Sequence, residues 1–268
     1  MSVTKRIVVC GGNGFLGSRI CKSAVARGWD VTSISRSGEP TWSSVSSSFT
    51  PPAWSHKVTW ERADILKPST YAPLLKSADF VVHSMGILLE ADYKAGSQNP
   101  LTRQPGEDLH SQERDGQITY ELMNRDSAIT LASESYKENV PAFAYISAAG
   151  GAPVLPQRYI DTKRAAESTI ASEFPKMRSV FIRPGMLYDS SRKITMPLAA
   201  ATGLGAAFNG LTGGIFGGIM GAAGVKPLKA DVVAEAVVES LSEESVKGPV
   251  EVKEIEELAE KAWRKGML

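Results

Sequence analysis

An α/β chain with a doubly wound parallel sheet is predicted by three features of this 268-residue sequence. The apolar run Ile7-Val8-Val9-Cys10 opens onto Gly11-Gly12-Asn13-Gly14-Phe15-Leu16-Gly17 and then onto a helical pattern over 18–27. Short apolar runs and amphipathic runs keep alternating down the chain, which makes successive strands parallel and the helices their crossovers. There is one glycine fingerprint and no internal repeat. The length therefore fits a single Rossmann core carrying a small C-terminal substrate-side appendage.

The elements follow in order. A first strand is read at 6–10, a helix at 14–27 and a second strand at 30–35. Residues 41–56, rich in Ser, Pro and Trp and without a period, are expected to be a mobile, exposed insertion whose Trp42 and Trp54 cap the core edge. A strand at 58–62, a short helix at 68–76 and a strand at 80–84 come next, followed by a polar stretch at 89–117 with the look of a long mobile loop. Leu122, Ile129 and Leu131 recur at helical spacing within 120–137; a strand at 142–147, a helix at 160–173 and a strand at 180–183 complete a core assigned to residues 1–190. The remainder, 191–268, contains the uncharged glycine-rich run 196–225. A helix at 230–242, with Asp231 near its positive end, a strand at 250–253 and a helix at 255–265 are expected to pack on the same core.

The run 196–225 is long enough to span a bilayer, but its glycines together with Thr202, Asn209 and Thr212 lower helix propensity and hydropathy, and a non-spanning role is preferred. Three forms of that role stay open: a flap over a substrate pocket, a pair of short buried helices, or an apolar surface meeting a membrane face or a partner. The net charge of +1 and pI near 7.7 argue against nucleic acid and for small-molecule ligands. Cys10 and Cys21 read as small core residues rather than a disulfide. Residues 1–5 are too few for a signal core or a transit peptide, so import into an organelle would need another address.

The GxxGxxG turn is expected to hold a dinucleotide. Gly11 turns the chain off the strand, Gly14 admits a pyrophosphate, and Gly17 lets the helix pack closely, with Asn13, Phe15 and Leu16 completing the cradle at a helix N-terminus suited to an anion. Tyr159 and Lys163, four apart, share a helix face, where a nearby ammonium is expected to lower the phenol pKa and ready Tyr159 as acid or base toward a carbonyl or alcohol. Ser147, twelve residues earlier at a strand end, is placed to orient a substrate oxygen. At the end of the second strand, where NAD sites carry an acid, stands Ser35-Arg36-Ser37. Arg36, with Ser37 beside it, suits a 2′-phosphate, so NADP (NADPH) is expected over NAD; a merely solvated strand-end charge is the alternative.

These motifs resemble those of atypical or extended short-chain dehydrogenases/reductases over nearly the whole chain. The resemblance implies an adenine-side role for Asp64 and Ile65, and a nicotinamide-side role for Ser84, Met85 and Gly86 and for Pro184 and Gly185 of Arg-Pro-Gly. It also implies that Asn124 joins Tyr159, Lys163 and Ser147 in the reaction. Within the superfamily, GGNGFLG, ISRSG, VVHSMGILLE, YELMN and YIDTKRAAE are similar to a fungal mitochondrial group linked to ubiquinone (coenzyme Q) biosynthesis, and more distantly to the NADPH-binding accessory subunit of respiratory complex I. That likeness implies a mitochondrial protein on the matrix side of the inner membrane, touching that membrane peripherally and partnered by a ubiquinone-synthesising complex. An oxidoreductase of an apolar, prenylated quinone precursor is then one expectation. A silent nucleotide-binding accessory or scaffold is the alternative, and a sugar epimerase or dehydratase a minor one.

Overall fold

The computed structural model describes residues 4–46, 48–87, 119–150, 156–189 and 226–266. The stretches read above as a long loop at 89–117 and as a glycine-rich run at 196–225 lie outside them. The chain order is β1 (Arg6–Cys10), α1 (Gly17–Ala26), β2 (Asp30–Ser35), α2 (Trp42–Val45), β3 (Val58–Arg62), α3 (Ala72–Leu75), β4 (Phe80–His83), α4 (Ser127–Lys137), β5 (Ala142–Ile146), α5 (Gln157–Glu173), β6 (Arg178–Ile182), β7 (Leu187–Tyr188), β8 (Leu228–Lys229), α6 (Ala230–Ser242), β9 (Gly248–Val250) and α7 (Val252–Gly266).

Seven strands form one parallel sheet in the order β3-β2-β1-β4-β5-β6-β9. Period-two alternation sorts their side chains onto two faces. Ile7, Val9, Val82 and Ile182 meet α1, α6 and α7 on one face; Val8, Val81, Phe143 and Phe181 meet α3, α4 and α5 on the other. Phe143, Tyr145, Ile20 and Ile170 are fully enclosed, and burying a side chain of that size contributes about 1.5–3 kcal/mol. The strand order reverses at β1, which pairs with both β2 and β4, so the crevice for a ligand opens beyond Cys10 and His83.

Several local details depart from the expectations. The 41–56 stretch is not featureless: it holds α2 and, at Ala53–Lys57, a 3-10 turn, because Trp42 is buried and packs edge-on against Trp54 and Trp60 at ring separations of 5.5 and 5.9 Å. The short helix expected over 68–76 breaks into a 3-10 turn at Pro68–Thr70 and then α3. A π turn at Glu121–Asp126 leads directly into α4. The last strand is β9 rather than 250–253. It lies at the sheet edge, where Pro249 costs no ladder bond. The two-residue pairing of β7 with β8 was not anticipated, since such short bridges carry no periodicity. Among the described residues no helix is long and apolar enough to cross a membrane.

Candidate nucleotide and carbonyl site

The turn after β1 is held by its own backbone. Gly11 N–H donates to Ile34 O at 2.9 Å, Gly14 N–H to Gly11 O at 2.9 Å and Ser18 N–H to Gly14 O at 3.0 Å. Gly11 has φ +84°, which an L side chain rarely adopts. A Cβ on Gly17 would lie 2.1 Å from Gly11 O, so only glycine lets α1 start this close to the turn. The side of Gly14 away from Gly11 is open, and no side chain caps the start of α1, whose positive end follows the turn. The donor set and the open face fit a pyrophosphate. Phe15 turns its ring onto Arg19, 4.4 Å away, and Leu16 enters the core, so both act by shaping the turn.

On the β4 side, Ser84 Oγ donates to Cys10 O at 2.8 Å, and Met85 Sδ receives the Cys10 thiol at 3.4 Å. Gly86 runs against Asn124 and Lys163: a Cβ there would stand 2.9 Å from Asn124 Oδ1 and 3.6 Å from Lys163 Nζ. Asn124 is fully buried. Its amide accepts from Ile87 N–H at 2.9 Å and donates to Ile87 O at 3.2 Å, while its own carbonyl accepts the Tyr145 hydroxyl. These bonds give Asn124 the work of pinning the loop that carries Ser84, Met85 and Gly86.

Tyr159 lies in the first turn of α5 and Lys163 one turn on, with Nζ 5.5 Å from the Tyr159 ring centre and 5.0 Å from that of Tyr145. Lys163 Nζ donates to Ile146 O at 2.9 Å. Burial brings the ammonium down to about 7, with Arg164 adding to the fall and Glu167 opposing it. The phenol behaves opposite to the sequence expectation. Burial, with Tyr120 packed edge-on 5.7 Å away, pushes Tyr159 up to about 12, because taking a phenolate out of water penalises its charged form. The Tyr159 hydroxyl has no hydrogen-bond partner among the described residues.

Ser147, at the end of β5, is buried and placed by a residue the sequence did not single out. Arg164 reaches Ser147 Oγ at 3.0 Å and Ala148 O at 2.7 Å, and its guanidinium is held by the buried Glu167 carboxylate at 2.7 Å. Arg183 grips the same Glu167 and also Glu251, so it serves as a clamp between β6, α5 and the start of α7. Pro184 O accepts Ala149 N–H at 2.8 Å, which sets Pro184 and Gly185 beside the segment bearing Ser147.

At the far end of the crevice the β2 turn is closed by Ser35, whose hydroxyl bonds Gly38 O at 2.8 Å. Arg36 and Ser37 are exposed there, and Asn13 Nδ2 donates to Ser37 Oγ at 2.6 Å. Asp64 spends an oxygen on Leu66 N–H at 3.1 Å, fixing the turn after β3, while Ile65 is buried beneath it. Gly12 also escaped notice: a Cβ there would fall 2.3 Å from Ser33 Oγ, and only the packing of the turn on β2 reveals it. The two cysteines are buried free thiols.

Residues 7–101 match the model of the NAD-dependent epimerase/dehydratase family. The chain is 38% identical over 217 residues to MIOREX complex component 2 of Saccharomyces cerevisiae, covering 72% of this chain and 76% of that one. Among solved structures it resembles UDP-glucuronic acid 4-epimerase from Bacillus cereus in complex with NAD, with a TM-score of 0.58, 17% identity and coverage of 92% and 78% of the two chains. A putative epimerase from Burkholderia cenocepacia matches with a TM-score of 0.58, 15% identity and coverage of 97% and 81%. At these identities the two structures speak to the fold alone.

Proposed function

From the premise that this chain belongs to the NAD-dependent epimerase/dehydratase family, within the extended short-chain dehydrogenases/reductases, we propose that it is an NADP(H)-dependent oxidoreductase acting on a carbonyl or alcohol. The observation that carries the reading is the buried Lys163 beneath Tyr159, whose hydroxyl has no hydrogen-bond partner among the described residues, together with a Ser147 hydroxyl past the end of β5 that Arg164 orients. The glycine turn, Ser84 to Gly86 and Pro184-Gly185 would hold the dinucleotide, with Asp64 and Ile65 on its adenine side and Arg36 and Ser37 on its ribose. When bound, the nicotinamide supplies or accepts a hydride.

A phenol with pKa near 12 stays protonated through the physiological range, so Tyr159 is set to give its proton to a substrate oxygen as the adjacent carbon is reduced. Lys163, in its charged form, stabilises the phenolate left behind. Ser147, receiving a hydrogen bond from Arg164, keeps its own proton to aim at the same oxygen. Residues 1–190 would carry the nucleotide and 191–268 the substrate side. The motif likeness to the ubiquinone-linked group suggests the substrate, an apolar quinone precursor, and the setting, a mitochondrial complex against the matrix face of the inner membrane.

One set of contacts favours the silent accessory reading. The Asn124 side chain is bonded to Ile87 and its carbonyl to Tyr145, which gives the residue a structural role in holding the loop after β4, and the yeast relative is by name a complex component.

Titration with NADPH and NADH, followed by nicotinamide absorbance with a short-chain quinone precursor, tests the proposal. NADPH oxidation that falls about 10²–10⁴-fold in Tyr159→Phe, with nucleotide binding kept, is the expected result. Binding without turnover across several precursors would transfer the assignment to the accessory role, and tighter binding of NADH would overturn NADP(H). In Arg36→Ala, NADPH should weaken about ten- to a hundredfold and NADH hardly at all.

A further inference from the structure

We infer that Arg62, at the end of β3, is a second cation of the nucleotide site, and that with Arg36, Ser37 and Asn13 it forms a cradle for a phosphomonoester on the adenosine 2′ position. The inference rests on the NADP(H) reading and extends it to a residue from a different strand.

Register places it there. Arg62 pairs across the sheet with Ser35, so its side chain reaches the turn that follows β2. Its Nε donates to Ser37 O at 3.2 Å, and its stem lies across Gly38, where a Cβ would come within 3.2 Å of Arg62 Cγ. Gly38 has φ +76° and is tied to Ser35 by both its N–H and its carbonyl, so the surface under the guanidinium is rigid. The terminal nitrogens of Arg62, like the whole guanidinium of Arg36, have no hydrogen-bond or ion-pair partner among the described residues.

The nearby acids are occupied. Glu39 accepts the Trp42 indole N–H at 3.0 Å, and Asp64 accepts Leu66 N–H. Among the described residues neither Arg36 nor Arg62 forms an ion pair with a carboxylate, so two exposed guanidiniums flank Ser37, an arrangement that a dianion offsets and that a ribose 2′-hydroxyl does not. Because Asn13 donates to Ser37 Oγ, the Ser37 proton is free for an anion oxygen, and the cradle is joined to the glycine turn. Arg62 differs from Arg36 in being held before any ligand arrives, which lowers the ordering cost of binding.

The test compares wild type, Arg36→Ala, Arg62→Ala and Arg62→Gln for binding NADPH, NADH and 2′,5′-ADP, with thermal melts as the folding control. Arg62→Gln retains the stem over Gly38 should the alanine variant fold poorly. Both Arg62 variants are expected to weaken NADPH and 2′,5′-ADP about ten- to a hundredfold, leave NADH within about twofold, and flatten the salt dependence of NADPH binding. If Arg36→Ala abolishes the NADPH preference while both Arg62 variants keep it, Arg62 has no part in the site and the NADP(H) reading stands. If wild type itself shows no preference for NADPH, the reading and the inference fall together.

Discussion

At the scale of the residue, burial decides the chemistry of the site. Lys163 is sealed beneath two tyrosine rings, and its pKa falls from 10.5 to about 7. Between those values the unfolded chain's lysine binds a proton that the folded one has lost, so stability should rise with pH from about 7 toward 9, by up to about 1.4 kcal/mol per unit. Above about pH 9 the sign reverses, because burial keeps the Cys10 and Cys21 thiols protonated while those of the unfolded chain ionise, and from about pH 10 Tyr159, raised to about 12, adds to the fall. On the acid side, His83 is buried neutral with its pKa lowered to about 3, so stability should also fall below pH 6.5. Urea unfolding at a series of pH values checks this: Lys163→Met should flatten the rise between 7 and 9, and an unchanged slope in that variant would assign the rise to other groups.

At the scale of the element, α1 and the π turn ahead of α4 are the two pieces that place the site. The start of α1 is confined by Gly11 O, so Gly17→Ala should force the helix outward. The expected cost is about 1–3 kcal/mol, read as a lower melting temperature together with weaker NADPH binding. An alanine variant that binds and melts like wild type would show that the turn yields easily. The π turn has a different job. It brings Asn124 under Ile87 and turns the Asn124 carbonyl to Tyr145, tying the loop after β4 to β5. Helical spacing over 120–137 marked the helix, but a widened turn leaves the same apolar pattern and could not be read from it.

At the scale of the whole molecule, the C-terminal helices are bound to the nucleotide-binding helix through one buried carboxylate. Glu239 of α6 is fully buried, 2.6 Å from Arg27 just past α1 and 2.7 Å from Lys265 of α7. Glu239→Ala would leave both cations without that partner. Because each is partly exposed, the expected loss is about 1–3 kcal/mol, a fall in Tm of roughly 3–10 °C that a thermal melt measures. Retention of the wild-type Tm would show that apolar packing of α6 on α7 suffices alone.

The sequence by itself determined the parallel α/β architecture, every strand of the central sheet to within a few residues, the glycine turn, and the Tyr159–Lys163 pairing on one face of α5. These rest on local periodicity and on spacing along a single element, which a linear pattern records. The tertiary structure decided the rest: that Arg62 comes beside Ser37 through β2–β3 register, that Arg164 orients Ser147, that Asn124 binds backbone, and that the phenol pKa rises rather than falls. Each of these depends on neighbours brought from distant positions, or on the exclusion of water by the whole fold, and desolvation is a property of the assembled interior that no motif contains.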